Sequence, residues 1–220
     1  MPTARSSLFE TTVLVLGADR EFAAATCVHL SRLGASLLLA GTHEERLVHV
    51  DNTLIQPELH RYIASDDPER ITAWALNSAA KPSRIVSFEI STRPVPTLPA
   101  SRTLHVRAFR PGGAHDVEIH ASTPGLQRPG GWSNTLSAYN VASLELLAEL
   151  EARASALGTT AQALLAEHYG GAVPEPLLTS ERLALIVETL LGPFTDFALG
   201  EHYVVDGLRR DLPSSLGNNR

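Results

Sequence analysis

Apolar residues fall along this chain in short solid runs, separated by stretches where they recur every three or four positions. The first run, Thr12–Leu16, is built of β-branched residues and leucine, which suits a strand buried on both faces. Residues 21–33 then carry Phe22, Ala25, Val28, His29 and Leu33 at helical spacing, and Gly34 closes the helix. A second run at 36–40 meets the turn Gly41-Thr42-His43, and a helix opens at 44–50. A third strand is predicted at 61–65. Asp67 caps the next helix, with Pro68 in its first turn, and residues 71–79 continue it. Residues 85–90 predict a fourth strand.

The second half has a different texture. Residues 91–115 hold Pro94, Pro96, Pro99, Pro111 and Gly112-Gly113, and predict a loop with one short helix at 101–109. Residues 117–121 read as a fifth strand, and 123–132 as a glycine- and proline-rich loop. The longest helical pattern is 137–157, with Leu144, Leu147, Leu150 and Leu157 among its apolar positions. Residues 160–166 suit a helix by their alanines and a sixth strand by their place. Thr179 or Ser180 caps a helix running to Leu191, a last strand covers 200–205, and residues 1–10 and 213–220 read as flexible ends. Alternating strands and helices predict a single Rossmann-like α/β domain over 1–220: a doubly wound parallel sheet in three α/β/α layers. Ligands of such sheets bind beyond the carboxyl ends of the strands, which singles out the loops after Leu16, Ala40, Ile90 and Ala121.

Composition narrows the partners. A net charge of −6 without any basic run disfavours nucleic acid. Cys27 is the only cysteine, which excludes an internal disulfide and a cysteine-rich metal site. Nine histidines occur without matched metal-ligand spacing, so no metal is expected; His120 and His168 are the two placed to line a pocket. No window reaches the apolar length of a membrane span, and a cytoplasmic protein is expected. Lys81 is the only lysine.

Several segments together resemble the short-chain dehydrogenase/reductase (SDR) family. They are Val13-Leu14-Val15-Leu16-Gly17-Ala18, Leu30-Ser31-Arg32-Leu33-Gly34-Ala35, Ala40-Gly41-Thr42-His43-Glu44-Glu45-Arg46-Leu47, Ala138-Tyr139-Asn140-Val141-Ala142-Ser143 and Leu199-Gly200-Glu201-His202-Tyr203-Val204-Val205-Asp206-Gly207. They follow the family's order over roughly residues 10–210. The resemblance implies a Gly-x-x-x-Gly-x-Gly turn for the cofactor pyrophosphate. Gly17 holds its first position, and Glu21 and Ala23 stand at the other two. A carboxylate at 21 is repulsive toward a phosphate, so the turn reads as a degenerate remnant and no bound cofactor is expected. The resemblance further implies a catalytic tyrosine with a lysine four residues on, one helical turn away. Tyr139 fits the first position, but Ser143 takes the second. Ser122 stands where the family has its serine, and Arg128 is the nearest cation in the chain.

Three readings follow. In the first, the scaffold is a non-redox enzyme catalysing a cyclisation, isomerisation or elimination with the pair Tyr139 and Ser122. Its pocket would be lined by Phe88, His120, Trp132, Ser143 and Tyr169. Val86-Ser87-Phe88-Glu89-Ile90 and Ser122-Thr123-Pro124 followed by Trp132 resemble halohydrin dehalogenases, which are non-redox relatives of SDRs. In the second, the chain is a non-catalytic subunit pairing with an active SDR, or with its own copy, through the helix at 137–157. In the third, it is a divergent NAD(P)-dependent oxidoreductase.

Overall fold

The apolar runs of the first half become the centre of a seven-stranded sheet. A computed structural model describes residues 8–88, 98, 102–108, 132–139, 141–169, 178–192 and 200–206. Its first half runs β1 (Thr12–Leu16), α1 (Ala23–Arg32), β2 (Ser36–Gly41), α2 (Glu44–Thr53), a 3-10 turn (Pro57–Leu59), β3 (Arg61–Ala64), α3 (Pro68–Asn77) and β4 (Arg84–Ser87). The second half runs β5 (Arg102–Ala108), β6 (Trp132–Tyr139), β7 (Val141–Ala142), α4 (Leu144–Ala156), α5 (Ala161–Tyr169), β8 (Leu178–Thr179), α6 (Ser180–Leu191) and β9 (His202–Asp206). The strand order is β3-β2-β1-β4-β5-β6-β9, and every pairing is parallel. β7 and β8 form a separate parallel pair. This is the Rossmann-like α/β architecture expected from the alternation of elements.

Two apolar layers sandwich the sheet. On one face Val13, Val15, Leu37, Leu39, Val86, Leu104 and Leu136 join Cys27 and Leu30 of α1 with Leu183 and Val187 of α6. On the other, Leu14, Leu16, Leu38 and Ile85 meet Ile71 and Ala75 of α3, together with Leu98. Burying one such side chain contributes about 1.5–3 kcal/mol, so the central strands anchor the fold. α6 packs against α1, and the His29 Nε2–Glu188 Oε2 contact of 2.6 Å ties the two helices. The connection from β6 to β9 therefore lies on the same face as α1 while crossing the sheet in the opposite direction. Its hand is opposite to that of β1-α1-β2, and it leaves the α3 face of β5, β6 and β9 without α6.

Two expectations are corrected, and one open alternative is decided. Residues 102–108 form strand β5, not a short helix, because Leu104 and Val106 alternate with Thr103 and His105 and only the first pair is buried. The helix expected at 137–157 is divided: residues 137–139 end strand β6, and α4 begins only at Leu144. Leu136 and Ala138 are fully buried on the α1 face, whereas a helix would have needed its apolar positions three and four apart. Of the two readings of residues 160–166 the helical one holds, since α5 covers Ala161–Tyr169. The strand expected at 117–121 lies outside the described residues, and β5 takes the fifth place in the sheet.

Candidate functional site

Two turns at the carboxyl ends of β1 and β2 build the best-defined polar site. Gly17 leaves β1 at φ +69°, a left-handed conformation that glycine adopts without steric cost. The backbone then makes two successive turns, with Arg20 N–H donating to Gly17 O (2.9 Å) and Ala23 N–H to Arg20 O (3.1 Å). α1 opens at Ala23, with no side-chain cap from Phe22 and no acid in its first turn. Backbone N–H groups at such an uncapped helix start suit an anion.

The turn that leads into α2 is different, because a carboxylate holds it. Asp19 reaches across from the first turn, its side chain 2% exposed. Its Oδ2 accepts from Thr42 N–H (3.0 Å), Thr42 Oγ1 (3.0 Å) and His43 N–H (2.9 Å), and lies 2.7 Å from His43 Nδ1. Burial by itself would raise the Asp19 carboxyl. The His43 ring, the His43 and Thr42 N–H groups and the Thr42 hydroxyl outweigh it and hold the carboxyl below the usual carboxylate range. His43 is 61% exposed, so its ion pair adds little, and the buried N–H bonds carry the anchoring. Gly41 makes room, since a Cβ there would lie 2.4 Å from Asp19 Oδ1.

A third connection joins the first turn to the start of α4. Ser143 caps α4, its Oγ accepting from Leu146 N–H at 3.1 Å and donating to Glu21 Oε1 at 2.8 Å. Thus Glu21 and Ser143, two residues singled out separately in the sequence, are direct partners. Ala23 is fully buried at the helix start. Phe88 is 5% exposed and packs in the core on the α1 face. Trp132 begins β6 and Tyr139 ends it, which separates their backbones by roughly 23 Å at ~3.3 Å per residue. Trp132 pairs with Arg102 at the amino end of β5, and Tyr139 pairs with Asp206. Tyr139 therefore ends a strand and is not a helix tyrosine. Tyr169 is the last residue of α5. Ser122 and His120 lie outside the described residues. Among the described residues no cluster of three metal-binding side chains occurs, and no helix is long and apolar enough to cross a membrane.

No family model matches the sequence, and no curated protein does. Solved structures match strongly in three dimensions. A glucose/ribitol dehydrogenase of the short-chain dehydrogenase/reductase type from Brucella melitensis superposes with a TM-score of 0.64 at 17% identity, over 91% of this chain and 97% of that one. The L-sorbose reductase from Gluconobacter frateurii, solved with NADPH and L-sorbose, gives a TM-score of 0.66 at 12% identity over 94% and 100%. The apo glucose dehydrogenase of Caenorhabditis elegans gives 0.60 at 15% over 91% and 97%.

The chain has the short-chain dehydrogenase/reductase fold.

That likeness overturns the expectation of no cofactor. The fold neighbours are dehydrogenases and reductases, one of them solved with NADPH, and they point to a nucleotide cofactor. The expectation rested on Glu21 facing a phosphate as an isolated carboxylate; instead it is bonded to Ser143. Within the SDR fold the strand register also moves the search for catalytic groups. The segment after the fifth strand is 109–131, which contains neither tyrosine nor lysine. Lys81 precedes β4 at the amino end of the sheet. Asp19 is the site residue that sequence reasoning missed. An acid two positions after the turn glycine, with Gly41-Thr42 ending the next strand, was the available signal.

Proposed function

We propose that this SDR-fold protein binds an unphosphorylated adenine dinucleotide of the NAD(H) type across the carboxyl ends of β1 and β2, as a divergent nucleotide-dependent oxidoreductase. One observation carries the reading: of two adjacent helix starts, α1 is uncapped, and the turn that leads into α2 is held by the Asp19 carboxylate. The uncapped start, with Gly17 before it and small Ala23 at its head, has the donors for a pyrophosphate. At the second start Asp19 has taken the amides of Thr42 and His43, and Glu44 and Glu45 follow in the first turn of α2. A phosphate on the adenosine ribose would meet the carboxylates of Asp19, Glu44 and Glu45 there. A ribose bearing only hydroxyls would meet acceptors.

When bound, the nicotinamide ring supplies hydride-transfer chemistry. The chain's own residues then have defined tasks. The first-turn amides of α1 hold the pyrophosphate, Asp19 fixes the β2–α2 turn beside the ribose, and the Glu21–Ser143 bond sets α4 against the first turn. The family's tyrosine–lysine proton relay has no lysine at this edge of the sheet. General acid–base assistance is worth about 10²–10⁴-fold, so turnover of simple ketones is expected to be slower than in relay-bearing enzymes by about that factor. Calorimetric titration with NADH is expected to give a saturable one-to-one isotherm, and steady-state ketone reduction by the same sample to be slow. Absence of NADH binding contradicts the reading. Fast turnover contradicts the missing relay.

A further inference from the structure

The far half of the sheet carries a polar layer on the face where apolar side chains would be expected. Ile85 faces the α3 side and Val86 the α1 side, so Ser87 faces the α3 side. Leu104, Val106, Leu136 and Ala138 belong to the α1-side core, which turns Thr103, His105, Thr135 and Ser137 the other way. The strand register aligns Ser87 with His105, His105 with Thr135, and Thr135 with His202. Four strands thus contribute one transverse row of hydroxyls and imidazoles. Ser137, one step further along β6, is hydrogen-bonded to His202 Nε2 at 2.9 Å.

Two observations set this row apart from an ordinary solvated surface. Ser87 is completely buried, and its Oγ has no hydrogen-bond partner among the described residues. Buried hydroxyls are normally satisfied, so an unmet one at the head of a polar row points to a missing acceptor. On their opposite face the same strands place Val86, Leu104, Val106, Leu136 and Ala138 in the core. His105 and His202 stand two strands apart, about 10 Å between backbones, with the Thr135 hydroxyl between them.

We propose that this row is a second ligand site, separate from the nucleotide turns, which takes a small oxyanion: a carboxylate or phosphate group. Hydroxyls of Ser87 and Thr135 donate to it, His105 and His202 flank it, and Ser137 positions the His202 ring. The row starts at Ser87, whose strand partner Leu16 precedes Gly17, and runs from there across β5 and β6 to β9, away from the turns after β1 and β2.

The test is a titration of the full chain with inorganic phosphate and, separately, succinate, followed by NMR of the histidine ring carbons. Saturable shifts confined to His105 and His202 among the nine histidines are expected with at least one probe, and the probe that saturates at lower concentration identifies the group. Ser87→Ala and Thr135→Val are each expected to raise the saturating concentration at least about fivefold while circular dichroism stays unchanged. Equal drift of all nine histidines, no saturation with either probe, or unchanged affinity in both variants overturns the proposal. If a variant loses its fold, the selectivity of the shifts in the unmodified chain decides alone.

Discussion

Asp19 shows how much of a turn's geometry one carboxylate can set. Hydrogen bonds to a charged group are worth about 1.5–3 kcal/mol, and an abandoned buried donor costs a similar amount. Asp19→Asn is therefore expected to lower stability by about 2–3 kcal/mol, measured by urea unfolding. The sign of its pH dependence follows from the depressed carboxyl. Its stabilisation is fully present above the unfolded value near 3.9 and is lost as pH falls through the lower folded value. The unmodified protein should lose stability through that acid window, and Asp19→Asn should lose less. Gly41→Ala drives a Cβ into Asp19 Oδ1; it is expected to destabilise the fold and weaken NADH binding together. Cys27 is fully buried and its thiol is pushed up to about 12. A thiol reagent is expected to label it only on unfolding, which makes it a probe for these measurements. Glu21 stood out in the sequence because its neighbours in the turn defined what was unusual. Asp19 did not, because its partners lie 23 and 24 residues away and nothing local marks the pairing. The partnership of Glu21 with Ser143, 122 residues apart, was hidden for the same reason.

At the scale of elements, the capping serine of α4 has two duties. Ser143→Ala removes the N-cap and the partner of Glu21 at once. A loss of about 1–2 kcal/mol is expected in urea unfolding, and Ser143→Thr should restore most of it. The first half of the chain was legible because β1, β2 and β4 are buried on both faces and read as solid apolar runs. β5 and β6 were not. Each is apolar on the α1 side alone, with Thr103 and His105 or Thr135 and Ser137 on the other, so neither run is solid. The Ser-Ala-Tyr segment at the end of β6 runs on into the leucine pattern of α4, so the two read in sequence as one helix, whereas Tyr139 ends a strand. Apolar periodicity had located the elements, but only the strand register could place the residues of the site.

At the scale of the whole molecule, a left-handed glycine, an open helix start and a turn held by the Asp19 carboxylate lie side by side at the carboxyl edge of a parallel sheet. Fold likeness to NADPH-bound L-sorbose reductase supports a nucleotide there, and Asp19 argues for which one. The measurement that tests this most directly is a paired calorimetric titration with NADH and NADPH at one ionic strength. NADH is expected to bind about tenfold or more tightly than NADPH, a difference of about 1.4 kcal/mol per decade. Equal affinity, or tighter NADPH, would contradict the role given to Asp19 at the start of α2.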